Sequence, residues 1–94
     1  LEKAIELKHE LIRLERSLAH LEKQLAAIQE GQKRLRDNIA TVGRESQLGK
    51  RYLAKLSDDE DQIESFERQI AQTRQMAEDK RGELAEYLKS LDVD

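Results

Sequence analysis

The sequence predicts an all-α protein, an antiparallel two-helix coiled-coil hairpin that spans residues 1–94. Three observations lead to this fold class. The composition is 39% charged and 3% aromatic with no proline, which is typical of coiled coils and long helices. Apolar residues recur at heptad spacing in both halves of the chain. A segment containing two glycines separates two heptad frames that differ in phase.

The chain length and the missing residue types limit which classes of function are possible. Ninety-four residues make one small unit, and because the chain starts at Leu1 and not at methionine we expect a piece of a larger protein. The lack of cysteine excludes disulfides, thiolate metal sites and a cysteine nucleophile, and it is consistent with a reducing compartment such as the cytoplasm. No apolar run approaches the roughly 18 residues that span a bilayer, and no signal peptide is visible.

The first helix is predicted over about residues 2–42. Apolar residues fill its a and d positions through six heptads, and Gln32 is the one polar member. A helix of this length extends about 60 Å and cannot bury its own apolar stripe. The stripe consists of Ala4, Leu7, Leu11, Leu14, Leu18, Leu21, Leu25, Ile28, Leu35, Ile39 and Val42.

A turn is predicted at about residues 43–47. The heptad phase slips by three residues between Val42 and Tyr52. Gly43 suits the left-handed conformation that ends many helices, and Ser46 suits the N-cap of the next one. A continuous helix with a three-residue stammer is the alternative, but the glycine, the cap and the phase slip coincide and favour a turn.

The second helix is predicted over about residues 48–91. Ser57 and Glu60 form a capping-box pattern that could start a new helix, yet the apolar frame passes from Leu56 to Ile63 undisturbed. The sequence leaves open whether the acidic run 58–61 interrupts this helix. Its a and d positions hold Tyr52, Leu56, Asp59, Ile63, Phe66, Ile70, Thr73, Ala77, Lys80, Leu84, Tyr87 and Leu91.

In an antiparallel pair of helices, the residue numbers of two facing residues add up to a constant. When this constant is 91, every a position faces a d position. This register places Gln32 opposite Asp59, a favourable match because a buried polar group needs a hydrogen-bond partner. It places Lys80 opposite Leu11, where the lysine stem can cross the seam while the ammonium stays hydrated. The flanking e positions whose numbers sum to 96 have opposite charges: Arg36–Glu60, Glu22–Arg74 and Glu15–Arg81. The other diagonal, with a sum of 89, includes the like-charged Lys8 beside Arg81, and the sequence leaves open which diagonal forms.

The sequence offers no residue set that would carry catalysis, hold a cofactor or bind a metal. His9 and His20 face outwards about 16 Å apart along the helix, too far to share a metal. The acidic run 58–61 lacks the alternating ligands and the glycine of a calcium loop. The four glycines form no phosphate-binding loop, and a helical rod offers no substrate pocket. We therefore expect a protein that is not an enzyme.

The hairpin tip is the most strongly charged part of the chain. Residues 33–55 contain seven basic and two acidic residues, a net charge of +5, so the remainder carries −8. Such a tip could contact an acidic protein, a lipid surface or a nucleic acid, or it could simply be solvated. Tyr52 is its one aromatic residue, which argues against nucleic acid. The candidate binding residues are Arg36, Arg44, Lys50, Arg51 and Lys55.

A second candidate surface lies at the open end of the hairpin. Aliphatic residues outside the seam cluster there near the two chain ends. They predict self-association as a dimer of hairpins, four helices over part of the length, or packing against the rest of a larger protein; solvated aliphatics are the other interpretation. This assembly stripe consists of Leu1, Ile5, Ile12 and Leu88, with Val93 at the same end.

Three runs around the turn carry a family resemblance. They are Gln32-Lys-Arg-Leu-Arg-Asp-Asn38, Arg51-Tyr-Leu-Ala-Lys-Leu56 and Glu60-Asp-Gln-Ile-Glu64. They resemble the C-terminal helical region of mucoidy-inhibitor-type uncharacterised bacterial proteins. The resemblance implies a bacterial origin and a larger parent with a β-rich domain upstream, and it brings no catalytic residues. The matching register of the two halves and the lack of any site for chemistry predict a structural and protein-interaction element of such a larger protein.

Overall fold

The computed structural model describes residues 1–92, which form an antiparallel hairpin of two α-helices. Helix α1 spans Glu2–Val42 and helix α2 spans Gln47–Leu91. The predicted fold class is confirmed, and α2 begins one residue before the predicted start. Helix α2 runs without interruption through the acidic run, so the Ser57 capping-box pattern starts no new helix. Val93 lies outside the described residues.

Burial follows the predicted seam. The residues at the a and d positions are buried or half-buried along both helices, and their outward neighbours are mostly exposed. Val42 and Leu91, at the last positions of the two helices, are exposed at 37% and 49% because each marks the end of its stripe. The buried apolar residues, between 1% and 8% exposed, are Leu7, Leu11, Ile39, Ile63, Ile70 and Ala77.

The turn has the two caps that the sequence predicts. Gly43 adopts a φ of 88°, in the left-handed region, and its N–H donates to the carbonyl of Ile39 at 2.8 Å. The hydroxyl of Ser46 accepts the N–H of Gly49 at 2.9 Å and donates to the carbonyl of Gly43 at 2.8 Å. Ser46 therefore caps α2 and also closes the turn.

The second glycine of the turn is required for a different reason. Gly49 is buried, and an ideal Cβ at this position would lie 2.0 Å from the carbonyl oxygen of Gly43. No side chain fits at this distance without a shift of the backbone. The close approach brings the first turn of α2 directly against the end of α1.

Packing divides the hairpin into two units, each formed by both helices. The open-end unit consists of residues 1–21 together with α2 from Gln69 onwards, and the tip unit consists of residues 22–68. In the open-end unit the amino group of Leu1 donates to the hydroxyl of Tyr87 at 3.2 Å, and Arg81 contacts Glu15 at 3.1 Å. The second contact confirms the predicted Glu15–Arg81 pair.

The tip unit contains the polar layer of the seam. Gln32 and Asp59 are both buried, at 4% and 6% exposure, as the register predicts. Their hydrogen bonds nevertheless go to neighbours: Gln32 Nε2 donates to Glu60 Oε1 at 2.9 Å, and Lys55 Nζ donates to Asp59 Oδ1 at 3.4 Å. Glu60, expected beside Arg36, therefore takes the amide of Gln32. Among residues 1–92, every buried side-chain nitrogen and oxygen has a hydrogen-bond partner.

Gly49 and Gly82, both in α2, should respond to alanine in opposite directions. Gly49→Ala should lower the free energy of unfolding by about 1–3 kcal/mol, because the new Cβ overlaps the Gly43 carbonyl. Gly82→Ala should raise it by about 1 kcal/mol, because nothing lies within 4 Å of a Cβ there and alanine favours helix. Urea denaturation followed by circular dichroism measures both. A Gly49→Ala variant as stable as the natural chain would show that the turn is looser than described.

Candidate functional site

The cations of the basic tip (residues 33–55) differ in how they are held. Arg36, Arg44, Lys50 and Arg51 are exposed at the surface of the tip unit. Lys55 contacts the buried carboxylate of Asp59 at 3.4 Å, so part of its charge is neutralised within the protein. Of the five predicted binding residues, four are thus exposed cations and one, Lys55, has a partner within the protein.

A groove runs along the flank of the tip unit. It has a volume of about 450 Å³, with Ala27, Ile28, Gly31 and Leu35 among its lining residues. The space exists because Gly31 has no side chain: a Cβ there would meet only the guanidinium of Arg34, at 3.7 Å. The sequence analysis missed this groove, although small residues four apart at positions 27 and 31 are a signal for it. The polar lining consists of Arg34, Asn38, Lys55, Asp59 and Gln62.

A second groove lies at the open end, where the assembly stripe was predicted. It has a volume of about 480 Å³ and contains three of the four predicted residues. Leu1, Ile5 and Leu88 are 81%, 51% and 46% exposed, which is high for large aliphatic side chains. Ile12, the fourth, is half-buried and does not line the groove. The other lining residues are Ala4, Lys8, His9 and Leu84.

Lys80 enters the seam of the open-end unit and is held there by two carboxylates. Its Nζ lies 2.8 Å from Glu10 Oε2 and 3.3 Å from Glu83 Oε2, while 30% of the side chain stays exposed. The hydrogen bond from Lys80 and its charge lower the pKa of Glu10, and the hydrogen bonds that Lys80 donates to Glu10 and Glu83 raise the pKa of Lys80. The layer in which Lys80 faces Leu11 is thus stabilised by ion pairs at the edge of the seam.

The remaining candidates for chemistry stay apart. His9 and His20 are both exposed. Within residues 1–92, no group of three or more histidine or acidic side chains is placed to hold a metal ion. No helix of that same stretch is long and apolar enough to cross a membrane.

Comparisons of the chain with family models, with curated proteins and with solved structures gave no match. The functional argument therefore depends on the two grooves and the charges beside them.

The Glu10–Lys80 ion pair should make stability depend on pH. A carboxyl whose pKa is lowered by folding stabilises the protein above its unfolded pKa, and this stabilisation is lost as the pH falls through the folded value. Glu10→Gln should therefore be less stable than the natural chain at neutral pH. The difference should shrink as the pH falls through the folded pKa of Glu10 and vanish below it.

Glu6→Gln, which neutralises an exposed carboxylate on the same helix, is the matched control. Urea denaturation at a series of pH values measures the free energy of unfolding of all three proteins. Parallel curves for the natural chain and Glu10→Gln at every pH would contradict the stabilising role of this ion pair.

Proposed function

We propose that the chain is a structural and protein-interaction element that self-associates, through its open-end unit, as a dimer of hairpins. It carries out no catalysis of its own. The observation that supports this proposal is the apolar groove in which Leu1, Ile5 and Leu88 are exposed. Burying aliphatic surface of this kind contributes about 25 cal/mol per Å², so a partner that covers the groove gains a substantial free energy.

The thin core of the hairpin supports a second copy as the occupant of the groove. Two packed helices have a single seam, and polar residues take several of its positions, among them Gln32, Asp59 and Lys80. Apart from Ala77, the buried apolar residues of the described chain all keep 3–8% of their surface exposed. Small units with so little buried surface are often marginal alone. A two-fold contact between the open ends of two identical chains buries more apolar surface and needs no other protein.

The resemblance to mucoidy-inhibitor-type bacterial proteins fits the same kind of function. In such a parent the hairpin would be a helical extension of a larger protein, and its open end would lie nearest the other domains. The rest of that parent is then the competing occupant of the open-end groove. The excised hairpin would in that case associate weakly or not at all.

The open-end contact should survive high salt because it is apolar. In about 0.5 M salt, where the Debye length falls to about 4 Å, sedimentation equilibrium should give a mass of two chains. The double variant Ile5→Glu with Leu88→Glu should give a mass of one chain, because two carboxylates would be buried without partners.

Met76→Glu is the matched control, because Met76 is 52% exposed in the same unit and lines a different groove. This variant should remain dimeric. A natural chain that keeps full helicity and the mass of one chain over a hundredfold concentration range would contradict the proposed self-association.

A second candidate function is supported by the exposed cations of the tip. Arg36, Arg44, Lys50 and Arg51 form a surface that attracts an anionic partner. An acidic protein, a lipid headgroup layer and a nucleic acid share this chemistry. One anionic segment is present on the chain itself, in the second helix of the tip unit, where residues 56–68 carry a net charge of −5.

A further inference from the structure

The charges of the tip unit are segregated by sign. The basic tip carries +5, whereas the next thirteen residues, 56–68, hold six acidic residues and one basic residue, a net −5. Asp59 is buried and Glu60 accepts the amide of Gln32. The other four acidic side chains of this acidic band (residues 56–68) are exposed: Asp58, Asp61, Glu64 and Glu67. Two segments with net charges of +5 and −5 thus adjoin along the chain of one unit.

The groove over Gly31 lies at the boundary between these two segments. Its rim residues Lys55 and Gln62 are one heptad apart on α2, and Leu48 lies one heptad before Lys55 on the same stripe. Leu48 is 40% exposed, so an unburied aliphatic side chain and an unfilled apolar groove occur on the same flank. A ligand for the groove is therefore available on any second copy of the chain.

We propose that the tip unit binds the tip unit of a second copy about a two-fold axis, with Leu48 of each chain over the Gly31 groove of the other. The proposal deepens the proposed function, since its partner is again a second copy, but it uses a different set of residues. The groove takes an apolar side chain, and Arg51 of each copy meets Asp58 of the other. The basic tip of each chain then covers the acidic band of its partner.

The spacing along α2 satisfies such an axis. A two-fold axis perpendicular to α2 at residue 55 exchanges position 48 with position 62, each about 10 Å from it. The same axis exchanges position 51 with position 59 and so places Arg51 within reach of Asp58. Lys55 lies at the axis itself, where its charge is balanced by Asp59 at 3.4 Å. The contact is therefore self-complementary in shape and in the sign of the charges that meet.

A second copy explains more of the surface than a lipid layer or a nucleic acid does. Those partners would contact the exposed cations but would leave both Leu48 and the Gly31 groove uncovered, and the acidic band would repel them. A second tip unit uses the cations, the acids, the leucine and the groove together. The contact also adds to the open-end contact, so a chain that makes both two-fold contacts assembles beyond a dimer.

The variant Ile5→Glu with Leu88→Glu, which lacks the open-end contact, isolates the tip contact. At about 20 mM salt its sedimentation mass should rise to two chains with concentration, and its dissociation constant should rise at least tenfold by about 0.5 M salt. A mass of one chain at every concentration in low salt would overturn the tip contact. The proposed function has a separate test, the mass of the natural chain in high salt.

A charge exchange tests the pairing of Arg51 with Asp58 in this background. Arg51→Glu should weaken association at least tenfold, and Arg51→Glu combined with Asp58→Arg should restore it. Lys50→Glu, an equal change of charge at the neighbouring position, is the matched control and should have a much smaller effect. Circular dichroism of each variant checks that these exposed substitutions leave the helices intact.

Two results would overturn the specific contact. Equal weakening by Arg51→Glu and Lys50→Glu would show that only the total positive charge of the tip matters, as for a lipid or nucleic-acid partner. Failure of Asp58→Arg to restore association would show that Arg51 and Asp58 do not meet. A Gly31→Leu variant gives an independent readout, because filling the groove should abolish association without any change of charge.

Discussion

The tight turn between Gly43 and Gly49 is the constraint on which the rest of the hairpin depends. Gly43 ends α1 in the left-handed conformation, Ser46 caps α2, and the missing side chain of Gly49 lets α2 start against the Gly43 carbonyl. Since both helices are continuous beyond this point, the turn sets which residues face each other. The Gln32–Glu60 bond and the Arg81–Glu15 pair follow one antiparallel register. A shift of this register by one residue would move apolar side chains out of the seam.

A seam between only two helices also explains why the interaction surfaces lie where they do. Each seam residue can be covered from one side, so apolar and polar groups near the edge stay accessible to a further partner. At the open end this leaves Leu1, Ile5 and Leu88 exposed around a groove. In the tip unit it leaves a groove over Gly31 between a basic and an acidic surface. In the proposed assembly, the open-end groove is covered through burial of apolar surface. The Gly31 groove is covered through complementary charge and shape.

The sequence predicts the architecture well because heptad spacing and capping are local signals. The a and d positions, the turn at Gly43 and the cap at Ser46 are all read from residue type and spacing. The partner of Gln32 could not be predicted, because Asp59 and Glu60 are both within reach of a long side chain and only the packed geometry selects one. The groove over Gly31 and the close approach at Gly49 depend on the absence of atoms, which residue spacing does not reveal. The ammonium of Lys80 was expected to be hydrated but forms two ion pairs, because the packed helices bring Glu10 and Glu83 within reach of it.

The antiparallel register is tested most directly by a distance between two spin labels within one tip unit. Gln29→Cys and Glu67→Cys occupy exposed flanking positions equivalent to those of Glu15 and Arg81, which contact at 3.1 Å, and the chain has no other cysteine. Dilution with unlabelled chain removes distances between copies. Because packed helix axes lie about 8–10 Å apart, the hairpin predicts a label separation below about 20 Å. A separation near 57 Å, as in one continuous helix at about 1.5 Å per residue, would contradict the hairpin.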